Sequence, residues 1–111
     1  MTLQEYFENY YNTINDGRID ELDHFFSGES PFLNANKRRF QGLKERCEFV
    51  LKIADIELIA QQDDLLVVRD FVDCTSSLGG QDMTKRSSNI HALVREGEDW
   101  KIHTSSILPH V

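Results

Sequence analysis

Thr2-Leu3-Gln4-Glu5-Tyr6-Phe7-Glu8-Asn9-Tyr10-Tyr11-Asn12-Thr13-Ile14-Asn15-Asp16-Gly17 is the stretch on which the reading of this chain turns. Thr2 and Glu5 stand at capping-box spacing, where each side chain accepts from the other's otherwise unpaired backbone donor, so a helix starts there. Leu3, Tyr6, Phe7, Tyr10, Tyr11 and Ile14 then recur at the three- and four-residue spacing that stacks side chains on one face. Gly17 is placed to take the left-handed conformation that ends the helix.

Beyond Gly17 the pattern predicts a second helix over residues 19–26. Ile19, Leu22, Phe25 and Phe26 face inward, and Asp20, Glu21 and Asp23 lie near its positive N-terminal end. Residues 27–31, ending in Pro31, stop it. A short strand at 32–35 and another around 38–41 are expected next. Gly42 then precedes a third helix over 43–52 that buries Leu43, Cys47, Val50 and Leu51. From there the period falls to two, with strands at 55–61, 65–75, 85–95 and 100–108. The turn formers Asp63-Asp64, Gly79-Gly80 and Glu96-Gly97-Glu98-Asp99 separate them. Helices followed by an antiparallel meander indicate an α+β domain, one curved sheet wrapped over three N-terminal helices with a hollow between them. No repeat, linker or low-complexity tract divides it, so residues 1–111 read as a single domain.

A length of 111 residues and 40% hydrophobic content suit one core burying roughly two thirds of the unfolded surface. The formal net charge of −7 repels phosphate backbones, and Lys37-Arg38-Arg39 and Lys85-Arg86 are too short and scattered for a groove-sized positive field. No nucleic-acid partner is therefore expected. No apolar run reaches the length of a membrane span, and the first residues lack the basic-then-apolar order of a secretory signal, so no membrane partner and a cytoplasmic location are expected. Cys47 and Cys74 sit far apart with no CxxC and read as reduced thiols. Residues 65–72 are apolar on both faces, which a one-sided sheet does not require, so a second subunit is expected to cover the outer face as a homodimer.

The element order, with Tyr10-Tyr11-Asn12-Thr13-Ile14-Asn15-Asp16-Gly17, residues 19–26, Gln41-Gly42 and Gly97-Glu98-Asp99-Trp100-Lys101-Ile102, resembles the nuclear transport factor 2-like superfamily. That cone-shaped fold is shared by ketosteroid isomerases, scytalone dehydratase and polyketide cyclases. The resemblance covers nearly the whole chain and implies a pocket rather than a reaction, because the fold hosts enzymes, binding proteins and scaffolds alike. In ketosteroid isomerases a Tyr seven residues before the helix-ending Gly donates to the developing oxyanion, a place that Tyr10 takes here. The isomerase's general-base Asp corresponds to Asn34, which cannot hold a proton at a useful pH, and this argues against that chemistry. The second oxyanion donor corresponds to His91.

Strand alternation that turns His91 inward also turns Ser87, Asn89 and Leu93 inward, which makes that face unusually polar. A hairpin centred near Gly80-Gln81 sets Asp70, between Val68 and Val72, across from His91 as a pair that orients the imidazole. A one-residue shift would oppose Asp70 to Ile90 and Arg69 to His91 instead, and the sequence does not choose between the registers. The candidate ligand-binding residues are Tyr10, Phe26, Asn34, Val50, Asp70, Asn89, His91 and Thr104. The candidate catalytic residues are His91 as acid or base, Asp70 as its orienter and Tyr10 as an electrophilic donor. Against these stand a structural Asp70–His91 pair beneath the pocket and a Tyr10 parked on a backbone carbonyl. His24, His91, His103 and His110 show no metal-ligand spacing, so neither metal nor cofactor is expected. Three functions follow: binding of a compact carbonyl- or hydroxyl-bearing small molecule; isomerisation, dehydration or hydration of such a ligand by proton transfer; or a dimeric assembly module. Whether the chain is an enzyme stays open at this level.

Overall fold

The computed structural model describes residues 2–108, so His110 falls outside the described residues. Helix α1 (Leu3–Asn15) carries both capping-box bonds: the Glu5 amide donates to Thr2 Oγ1 at 3.1 Å, and the Thr2 amide to Glu5 Oε1 at 3.3 Å. Its C-terminus closes with a pair of reversed hydrogen bonds, Gly17 N–H to the Ile14 carbonyl and Arg18 N–H to the Thr13 carbonyl, with Gly17 at φ 78°. Asn15 then locks α1 to the sheet, because its amide donates to the Leu51 carbonyl and accepts from the Leu51 N–H, each at 2.8 Å.

The second helical segment is a 3-10 helix (Ile19–His24), shorter than the sequence predicts. Phe26 leaves it to form a parallel bridge with Ile102, where Ser27 N–H donates to the Ile102 carbonyl and Ile102 N–H to that of Phe25. The third helix is displaced from its expected span. Helix α2 (Leu33–Arg46) replaces the strands expected at 32–35 and 38–41, and it ends where the predicted helix was to be half complete. Asn36 and Phe40, one turn apart, are its buried residues, and Asn36 Nδ2 donates back to the Phe32 carbonyl at 2.8 Å. Residues 43–53 satisfy two periods at once, since Leu43, Cys47, Val50 and Leu51 fit a helix while Phe49, Leu51 and Ile53 fit a strand. Residues 43–46 finish α2, and from Glu48 onward the aromatic and β-branched content decides for the strand.

Strands β1 (Glu48–Gln61), β2 (Leu65–Leu78), β3 (Gln81–Glu96) and β4 (Asp99–Leu108) form one antiparallel sheet in the order 1-2-3-4. Gly79 and Gly80, both at positive φ, make the two-residue turn between β2 and β3 whose twist matches its strands. The even residues of β2 (Leu66, Val68, Asp70, Val72) and the odd residues of β3 (Asn89, His91, Leu93) are buried, and Phe7, Tyr10, Tyr11, Ile14 and Leu22 complete the core. Leu65, Val67, Phe71, Ile90 and Val94 remain half-buried.

Two glycines separate conformational from propensity effects. Neither Gly17 nor Gly42 would bring a Cβ within 4 Å of another atom, yet Gly17 holds a positive φ and Gly42 lies in the body of α2. Gly17→Ala is expected to cost about 1 kcal/mol and Gly42→Ala to stabilise by about 0.5–1 kcal/mol in urea unfolding. Equal shifts of the same sign would contradict this assignment.

Candidate functional site

The β2–β3 register places Asp70 opposite Asn89 and His91 opposite Val68, a shift of two residues from the pairing expected from a turn at Gly80-Gln81. Because side chains alternate with period two, an even shift keeps both groups on the inner face and makes them diagonal neighbours. His91 Nε2 lies 2.8 Å from Asp70 Oδ2. Asn89 Nδ2 donates to Asp70 Oδ1 at 2.8 Å, and the Tyr11 hydroxyl donates to Asp70 Oδ2 at 2.5 Å. Asp70 and His91 are 0% and 1% exposed. Asn89 and Tyr11 donate to separate oxygens of Asp70, and in the tautomer that makes Asp70 the acceptor throughout, His91 Nε2 donates as well.

His91 Nδ1 meets Ser105 Oγ at 2.8 Å on the neighbouring strand. The imidazole also lies against Phe7, with ring centroids 4.6 Å apart. A chain Asp70–His91–Ser105 therefore runs from the core toward a cavity of about 30 Å³, lined by Tyr10, Tyr11, Leu51, Val72, Ser87, Asn89, His91 and Ser105, and roofed by Asn36, Arg39 and Phe40 of α2. This volume holds one or two water molecules and nothing larger unless α2 lifts. A groove of about 740 Å³ opens beside the N-terminal half of α1, between Tyr6, Phe25, Leu58, Leu66 and Trp100. Its buried walls, Leu66 and Leu93, are apolar, with His24, Glu98, Asp99 and Lys101 also along its lining, whereas the buried Asp70–His91 pair lies at the smaller cavity.

Of the residues singled out from sequence, Tyr10, Asn89 and His91 line the cavity, and Asp70 lies directly behind the last two. Four are placed elsewhere. Val50 points outward and is 58% exposed, because residues 48–53 form a strand and Leu51 takes the inward position. Asn34 is exposed on α2, where the helical period brings Asn36 inward instead. Phe26 is buried against Tyr10, with centroids 6.0 Å apart, and is held by its bridge to Ile102. Thr104 yields to Ser105 because a β-bulge between the Ala92 and Leu93 pairings inserts one residue in β4 and reverses the alternation after Ile102.

Tyr11 and Ser105 are the members that sequence reasoning did not select. Tyr11 sat in view on the same apolar stripe as Tyr10 but carried no mark of a polar partner, whereas nothing in the β4 sequence announces the bulge. Burial pushes the Tyr10 and Tyr11 phenols well above their ordinary range. The Tyr10 hydroxyl makes no hydrogen bond among the described residues, so as a neutral donor it is free to face a ligand. Burial likewise raises the Cys74 thiol, which suits a small hydrophobe rather than a nucleophile. Among the described residues no cluster of three or more His, Cys, Asp or Glu side chains is arranged to hold a metal ion.

The network sets an order of stability effects. Asp70→Ala strands three donors and is expected to cost about 3–5 kcal/mol, while Tyr11→Phe removes one bond to the carboxylate for about 1–3 kcal/mol. Tyr10→Phe, which breaks none, costs least. Urea midpoints check the ranking, and a Tyr10→Phe loss equal to that of Asp70→Ala would overturn it.

No family model matches the sequence, and no curated protein sequence matches it. Solved structures match the fold over nearly all of the chain. A nuclear transport factor 2-like protein with a cystatin-like fold from Novosphingobium aromaticivorans superposes with a TM-score of 0.76 at 11% identity, covering 95% of this chain and 77% of the other. The β subunit of benzoate 1,2-dioxygenase from Burkholderia mallei gives 0.76 at 15% identity, covering 95% and 86%. A protein provisionally named a scytalone dehydratase, also from Novosphingobium aromaticivorans, gives 0.74 at 14% identity, covering 98% and 86%. Identities this low carry the fold and nothing of the activity. Three N-terminal helical segments on a four-stranded antiparallel sheet, with these neighbours, give the chain the nuclear transport factor 2-like, cystatin-like fold.

Proposed function

We propose that this chain binds a compact carbonyl- or hydroxyl-bearing small molecule over His91 and Ser105. The observation that carries the reading is the buried Tyr11–Asp70–His91–Ser105 network, ending at a cavity that the unpartnered Tyr10 hydroxyl also lines. Buried ionisable groups are costly to retain, and a purely structural core of this size is served as well by apolar side chains. The roof is the part able to open. Helix α2 begins at Phe32 without a side-chain cap, has no acid in its first turn, contains Gly42, and buries two residues in fourteen.

A second reading, proton transfer on the bound ligand, draws on one further feature. Both imidazole nitrogens are partnered within the protein, so a proton passing between His91 and the cavity travels through the Ser105 hydroxyl while Asp70 holds the ring. The isomerase-type base is not available, since Asn34 lies on the outside of α2. A dehydratase-named protein and a dioxygenase subunit share this fold.

Titration with cyclohexanone, cyclohexanol, levulinate and methyl levulinate tests both readings. Binding predicts that at least one shifts the NMR resonances of His91 and Tyr10 and raises the melting temperature; perturbation by none of the four would contradict it. Proton transfer predicts deuterium wash-in beside the ketone that Ser105→Ala and His91→Gln abolish. Binding without wash-in leaves the first reading and removes the second.

A further inference from the structure

The roof of the His91 cavity differs in charge from the rest of the molecule. Helix α2 carries five basic residues, Lys37, Arg38, Arg39, Lys44 and Arg46, against the single acid Glu45, in a chain of formal net charge −7. Most of these cations are occupied locally: Lys37 pairs with Asp23, Lys44 donates to the Asn15 carbonyl, and Arg46 donates to the Gly42 carbonyl. Arg39 is different. Its guanidinium lies 5.0 Å from the centre of the Phe40 ring, it borders the cavity, and it has no carboxylate partner among the described residues.

The remaining cavity wall is rich in donors. Tyr10 and Ser87 present hydroxyls, and Asn36 and Asn89 each keep a second amide hydrogen beyond the one given to the Phe32 carbonyl and to Asp70, while the Ser105 proton goes to His91 Nδ1 and Asp70 is fully buried and turned to its own donors. A cation and several neutral donors around a site whose anion is already satisfied form an environment selective for negative charge. The Arg39 charge also acts to lower the Tyr10 and Tyr11 phenols against the larger opposing effect of burial, which places it within electrostatic reach of the site.

We infer that the ligand is a small organic anion, a carboxylate-bearing carbonyl or hydroxyl compound, whose carboxylate docks on Arg39 at the roof while its carbonyl or hydroxyl oxygen accepts from Tyr10. This rests on the binding reading above and adds the ligand's class and the residue that selects it. The arrangement links selection to entry, because the residue that recognises the anion sits on the helix that must lift to admit it. Attraction between Arg39 and a seated carboxylate draws α2 back over the site.

Levulinate and methyl levulinate share the ketone and differ in charge, so they isolate the effect. The 111-residue chain is expected to bind levulinate about tenfold more tightly than the ester by NMR titration at low salt, with the preference shrinking as NaCl is raised. Arg39→Gln, at an exposed position whose fold is checked by circular dichroism, should weaken levulinate about tenfold and leave the ester unchanged, and Arg39→Lys should restore part of the preference. Equal binding of acid and ester, or a preference that survives Arg39→Gln, overturns this inference while the cavity reading stands. Binding of neither compound overturns this inference, and the cavity reading falls with it when cyclohexanone and cyclohexanol also leave His91 and Tyr10 unshifted.

Discussion

A carboxylate with no exposure to solvent has to be satisfied from within, and at Asp70 three donors do this: the Tyr11 hydroxyl, the Asn89 amide and His91 Nε2. They come from α1, packed on the inner face of the sheet, and from β3, the strand paired with β2, so the constraint is tertiary as well as chemical. If α1 rotated or β3 slipped by one residue, a buried charge would lose a partner, at a cost of several kcal/mol. The same contacts orient the imidazole, because Nε2 is held by Asp70 and Nδ1 is left to Ser105. Helix placement, strand register and side-chain protonation are thus set by one group.

What surrounds that group divides the molecule into a stiff floor and a weaker roof. The floor consists of central strands carrying Val68, Asp70, Val72, Asn89, His91 and Leu93, packed against the aromatic stripe of α1. Asn15 ties α1 to Leu51 with a two-bond clasp that fixes the cavity's side wall. The roof is α2, whose buried Asn36 and Phe40 are its main hold on the core and whose basic residues lie against an otherwise acidic protein. The cavity beneath it is about 30 Å³, with Arg39 on its border.

Much of this was legible in the residues. The capping box, the aromatic stripe and Gly17 define α1, and the alternation of β2 and β3 puts Asp70, Asn89 and His91 on one face whatever even register the hairpin takes. For that reason an expected turn one residue out of place still led to an Asp70–His91 contact. Three features were not legible, each for a physical reason. Residues 43–53 fit the helical and the strand period equally, and tertiary burial of Phe49, Leu51 and Ile53 resolves the tie. The bulge that exchanges Thr104 for Ser105 is a property of strand pairing, invisible in one strand alone. Tyr11 looks like any core aromatic until the carboxylate 59 positions away is folded against it.

The account centres on the proton between His91 and Asp70, and long-range proton–nitrogen NMR of the imidazole reads it directly. The predicted result is a His91 ring with its proton on Nε2, shifted downfield and slow to exchange with solvent. A bare Nε2 with the proton on Nδ1, or a ring exchanging as freely as an exposed histidine, would contradict the network and the site built upon it.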